Sequence, residues 1–156
     1  MKKDLIVIAQ RIEQEFPDLH HLQQRAVLAL QRAVRSEDDL YWDSVALNLH
    51  GLYDGLERIF ELIALRVDSN LPAGADRHKQ LLLQMTSNLP GIRPAVISQP
   101  TWQSLDDLRG FRHVVRHVYT MNLDPIKLKG LAERSQELLA RLDRELTAFS
   151  QFLLRF

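Results

Sequence analysis

The stretch from Val45 to Val67, VALNLHGLYDGLERIFELIALRV, decides the fold class. Val45, Leu49, Leu52, Leu56, Ile59 and Ile63 recur at spacings of 4-3-4-3-4, and Val67 extends the row. Such spacing lays one apolar stripe along an α-helix, in the manner of a heptad seam. Asp54, Glu57, Arg58 and Glu61 fall between the stripe members, so the helix is amphipathic. The stretch predicts one long helix over about residues 39–67, with Ser36-x-x-Asp39 as a cap nearby. Its stripe belongs in a core or, failing that, in a seam between two copies.

The same periodicity extends outward in both directions. Towards the C-terminus, Leu128, Leu131, Ser135, Leu138, Leu142, Leu146, Phe149 and Leu153 lie three or four residues apart. Asp124-Pro125 supplies an N-cap and a proline at the first helical position. Towards the N-terminus, Leu5, Ile8, Ile12, Phe16, Leu19, Leu22, Ala26, Leu30 and Ala33 form another stripe, which Pro17 should kink or split into two helices. A shorter helix is expected from about His78 to Ser87. Turn chemistry is concentrated at Asp68–Gly74 and Asn88–Pro100. A further helix should start near Thr101–Ser104, capped by Ser104-x-x-Asp107, and end near Asn122. No strand pattern competes. The expected architecture is all-α: an up-and-down bundle of four long helices plus a short extra one, in a single domain spanning residues 1–156.

Composition bounds the chemistry. A chain of 156 residues, 46% hydrophobic and 26% charged, is long enough to bury a core and too apolar for disorder. It has no cysteine, which removes disulfides, thiol catalysis and cysteine-based zinc sites. No apolar run approaches the roughly 20 residues that span a bilayer, and Leu5–Ala9 is too short for a secretory segment. A cytoplasmic location is expected. The formal net charge is zero, so any nucleic-acid contact must come from a local patch. The basic residues are 15 Arg and 5 Lys, and arginine suits bidentate phosphate contacts.

The local patch is in Leu105–Thr120, LDDLRGFRHVVRHVYT. On a helix of about 100° per residue, Leu108, Phe111, Val114, Val115 and Val118 cluster within about 120°. Arg109, Arg112, His113, Arg116 and His117 occupy the opposite side, and Tyr119 lies on Arg112's edge of it. A face of this kind is either solvated surface or an anion site. Gly110, a residue that costs a helix about 1 kcal/mol relative to alanine, hints at close backbone approach. Arg112 and His117 form the one Arg-x(4–6)-His pair in the chain. Alone that spacing carries little information; with Tyr119 added, the pattern arises by chance roughly once in 100 chains of this composition.

Arg112-x4-His117-x-Tyr119 resembles the Arg-x4-His-x-Tyr signature of the HepT family, within the HEPN superfamily of helical ribonucleases. The stretch LHGLYDGLERI (Leu49–Ile59) is similar to the family's long second helix. Phe111–Tyr119 with Asp124-Pro125 is similar to its signature helix and exit. The resemblance runs from about residue 40 to the C-terminus. It implies the toxin of a two-gene toxin–antitoxin pair: a metal-independent, homodimeric ribonuclease acting on tRNA or mRNA without a cofactor. It also implies an MntA-like minimal nucleotidyltransferase partner that silences the toxin by adding AMP to Tyr119.

The chemistry is coherent with the side chains. RNA carries its own nucleophile, the 2′-OH. His117 suits the general base, because imidazole titrates near neutral pH. Arg112 suits the scissile phosphate, whose charge builds in the transition state. Arg109, His113 and Arg116 are the expected RNA or phosphate contacts. Five residues separate Arg112 from His117, about 140° around the helix, so a second surface must help gather them. A two-fold dimer pairing two copies of this helix would supply it. The alternative is a catalytically silent HEPN-type module that dimerises and binds nucleotide or nucleic acid for a partner nucleotidyltransferase.

The remaining polar residues carry plainer readings. His113 and His117, at i,i+4, lack a third metal ligand, so no metal site is expected. His20-His21 read as a surface turn or helix start. His50 and Tyr53 read as packing or hydrogen-bonding groups, or else as cleft lining. Asp106-Asp107 and Glu37-Asp38-Asp39 read as helix-start charges.

Overall fold

The structure, a computed structural model, describes residues 2–117 and 123–156, with side chains through Phe111 in the first segment. Among the described residues there are five α-helices and no strand: α1 (Lys2–Ser36), α2 (Leu40–Arg66), α3 (Arg77–Met85), α4 (Gln99–His117) and α5 (Pro125–Leu154). The all-α bundle of four long helices with one short addition is the architecture that the periodicity predicts. No described helix is long and apolar enough to cross a membrane.

The α2 stripe is core. Val45, Leu49, Leu52, Leu56, Ile59 and Ile63 are each no more than 3% exposed. The stripe feeds two apolar clusters. One holds Leu52, Leu56, Ile59 and Ile63 with Ile8, Ile12, Leu105, Leu142 and Phe149. The other holds Val45, Leu49 and Tyr53 with Ala26, Leu30, Leu108, Phe111, Leu128 and Leu131. Each fully buried aliphatic side chain contributes about 1.5–3 kcal/mol, so the stripe outweighs any surface ion pair.

α1 packs on α2 and α5. Against α5 it runs antiparallel: His20 Nε2 lies 2.7 Å from Asp143 Oδ2, and Gln23 Nε2 donates to Ser135 Oγ at 3.3 Å. Pro17 does not split this helix; α1 is continuous over 35 residues. The proline is exposed and its missing N–H leaves a carbonyl on the solvent side, while Ile12 and Leu19 on either side are buried. Burial of the stripe offsets the roughly 3 kcal/mol that an interior proline costs. His20 and His21 accordingly sit in mid-helix and not at a turn.

Two helix starts differ from the expected capping. Before α2, Asp38 Oδ1 accepts the Leu40 N–H at 3.0 Å, whereas Asp39 makes no side-chain cap bond. Ser36 Oγ accepts the Asp38 N–H at 3.3 Å, within a turn where Glu37 has φ 56°. α4 begins at Gln99, earlier than expected, so Ser104 and Asp106-Asp107 lie inside it. The Asp124-Pro125 start of α5 is as expected: Asp124 Oδ1 accepts the Ile126 N–H at 3.0 Å.

The links flanking α3 are joined by one buried ion pair. Arg93 and Asp68 have side chains 0% and 1% exposed. Arg93 donates from Nε and Nη2 to the two carboxylate oxygens, and also to the carbonyls of Ser87, Pro94 and Gln84. All five guanidinium protons are used, the condition under which a buried charge is tolerated.

Candidate functional site

α4 carries the candidate site, and its start is built by α5. Ser98 Oγ accepts the Thr101 N–H at 3.4 Å. Glu145 of α5 accepts the Ser98 N–H at 2.9 Å and the Thr101 hydroxyl at 2.7 Å. Arg141, one turn away on α5, donates to Ser104 Oγ at 2.9 Å and to the Pro100 carbonyl at 3.4 Å. A carboxylate at a helix N-terminus satisfies free N–H groups and complements the dipole. This clamp fixes where α4 starts and how it is rotated.

The rotation follows from burial. Thr101, Leu105, Leu108 and Phe111 point into the bundle, each no more than 3% exposed. Leu108 and Phe111 share a cluster with Leu49 and Tyr53 of α2. The apolar arc of α4 therefore faces α2 as far as Phe111, and the basic arc predicted opposite begins at Arg109, about a quarter exposed. Its guanidinium is engaged by Asp106, with Nε and Nη2 each 2.9 Å from Oδ1. Asp106 thus acts as a partner on the basic face, not as a helix-start charge.

Arg112, His113, Arg116 and His117 fall within α4, but their side chains lie outside the described residues. Tyr119, and the expected helix end near Asn122, also lie outside them.

Beside this half of α4, α2 presents His50, expected as a packing or hydrogen-bonding group, in a polar pair. His50 Nδ1 lies 3.3 Å from Asp54 Oδ2, both side chains partly buried at 23% and 30% exposure. Each follows directly after a residue of the shared cluster, Leu49 and Tyr53. One turn on, Glu57 is buried and its Oε1 lies 2.7 Å from His78 Nδ1, joining α2 to α3. The i,i+4 spacing of His50 and Asp54 was the available signal. The Glu57–His78 pair had none, because it depends on where α3 docks. Among the described residues no three His, Asp or Glu side chains gather as metal ligands.

Among the described residues Gly110 meets no close neighbour: a Cβ built there has nothing within 4 Å. Close approach occurs instead between α1 and α2, where a Cβ at Gly55 would lie 2.7 Å from Leu19 Cδ2 and one at Gly51 3.4 Å from Leu22.

A family model described as "HepT-like protein" matches residues 44–153, a stretch that covers almost all of α2 and the whole of α3 and α4 and reaches the end of α5. No curated protein and no solved structure matches the chain.

Proposed function

The chain belongs to the HepT-like family of the HEPN superfamily, and we propose that it is a metal-independent endoribonuclease toxin working without a cofactor. The observation that carries this reading is that Arg112-x4-His117-x-Tyr119 falls inside the stretch matching the family. The rotation of α4 supports it, because Leu105, Leu108 and Phe111 are buried in the bundle while Arg109, the first residue of the predicted basic arc, is partly exposed.

In the proposed reaction His117 removes the proton of an RNA 2′-OH. The 2′-oxygen attacks the adjacent phosphorus, the P–O5′ bond breaks, and the departing 5′-oxygen takes a proton from water, while the proton held by His117 returns to solvent. The products are a 2′,3′-cyclic phosphate and a 5′-hydroxyl end. Arg112 holds the phosphate and offsets its growing charge. Arg109, His113 and Arg116 extend the contact along the RNA backbone, Arg109 from a position braced by Asp106. The chain, as one HEPN-like domain, acts in the cytoplasm on tRNA or mRNA and pairs as a homodimer that closes the cleft. An MntA-like nucleotidyltransferase adenylylates Tyr119, placing a bulky anion where the substrate phosphate must sit.

The test is His117→Ala. The variant should fold and associate as the wild type does while losing RNA cleavage by about 10²-fold or more. Cyclic-phosphate ends should appear in RNA treated with the wild type, with or without a chelator. Undiminished cleavage by His117→Ala sinks the assignment.

A further inference from the structure

α1 and α2 form a basic cleft between them. It measures about 160 Å³ and is lined by Arg25, Leu28, Ala29 and Arg32 of α1 and by Tyr41 and Ser44 of α2. Arg25 and Arg32 are exposed and stand two helical turns apart on one face, a rise of about 10.5 Å. Among the described residues neither guanidinium has an acidic side chain within ion-pair distance. The lining contains no Asp or Glu. In a chain of zero net charge, two unpaired arginines around one cleft are a local excess. Ser44 Oγ accepts a hydrogen bond from Asn48 Nδ2 at 3.3 Å, which leaves its own hydroxyl proton to donate outward. Tyr41 offers a half-buried aromatic ring on the α2 wall.

We propose that this cleft is an RNA-backbone subsite, with Arg25 and Arg32 holding phosphates, Ser44 donating to one of them and Tyr41 stacking on a base. The proposal rests on the ribonuclease reading and extends its substrate track. Position favours it: Ala29, on the cleft floor, shares a cluster with Leu108 and Phe111, so the cleft lies at the same end of the bundle as the later half of α4. The neighbouring surface favours RNA over an acidic protein segment. Across Leu28, a ridge common to both, lies a cleft of about 350 Å³ lined by Gln24, Gln31 and Gln136 among others. Amides offer both donors and acceptors to base edges, which an acidic peptide does not need. Arginines for phosphate and an aromatic face for a base are the usual elements of single-strand recognition.

The experiment measures binding of a fluorescent mixed-sequence oligoribonucleotide, by anisotropy across salt, to protein carrying His117→Ala so that the probe stays intact. Arg25→Gln with Arg32→Gln should weaken binding about fivefold or more and lower the slope of log K against log salt by about 1.4, the share of two phosphates. Tyr41→Ala should weaken binding and Tyr41→Phe should restore it. All these side chains are partly or fully exposed, so melting temperature should stay within a degree or two, and circular dichroism checks this. If the double variant keeps the parent's affinity and slope, the subsite is wrong and the ribonuclease reading stands. If the parent binds no RNA, both fall. If Tyr41→Ala is neutral and polyglutamate of equal charge displaces the RNA equally well, the cleft is a surface for acidic protein and the proposal is overturned.

Discussion

At Gly55 the α1 and α2 surfaces leave no room for a methyl group, because Leu19, 1% exposed, is fixed in the core and cannot swing aside. Gly55→Ala should therefore destabilise by about 1–3 kcal/mol, overpacking outweighing the better helix propensity of alanine. Gly110→Ala should do the reverse. Among the described residues its Cβ meets nothing within 4 Å, and the helix gains about 0.5–1 kcal/mol, a rise in Tm of a few degrees. Thermal melts of the two variants check the contrast. The sequence marked Gly110 as the close approach and passed over Gly55, for a physical reason. A glycine in a helix shows that a side chain is absent; only the neighbour across the interface shows whether the space is needed. His50 and Asp54 differ in this respect, since their i,i+4 spacing was visible in the chain and only their partial burial was not.

The elements read well where a single helix decides its own fate. α2 and α5 follow from their stripes and from Asp124-Pro125, all local signals. α4 starts earlier than Ser104 implies because Ser98 caps it, its Oγ accepting the Thr101 N–H; what no local pattern reports is Glu145, 47 residues away, which holds Ser98 and Thr101 in place. Glu145→Ala should cost about 1–2 kcal/mol and speed amide exchange in the first turn of α4. Unchanged exchange there would show that Ser98 alone suffices. The Arg93–Asp68 pair was equally out of reach, because both residues sit in turn-rich links whose docking is tertiary. Arg93→Ala strands a buried carboxylate and should cost about 3–5 kcal/mol. Arg93→Lys should recover only part of that, since an ammonium has three donors where five are in use. Denaturant titration of both variants measures the difference.

Across the whole molecule, the end of the bundle that holds the later half of α4 also exposes large apolar side chains. Leu40 and Leu47, on one face of α2, are 71% and 70% exposed, and Ile126 at the start of α5 is 84% exposed. If the chain pairs as proposed, Leu47→Glu should shift it from dimer to monomer in light scattering and lower RNA cleavage in parallel; a monomer of full activity would remove the composite cleft. The antiparallel seat of α1 on α5 has a consequence for how the protein is made. Partners such as His20 with Asp143 are 123 residues apart, so α1 leaves the ribosome long before its second neighbour exists. Until Pro125–Leu154 is synthesised, Ile8 and Ile12 are covered by α2 at best and otherwise face solvent. Folding should finish with α5 closing over that seam, a slow, non-local step during which nascent chains are open to aggregation or chaperone capture.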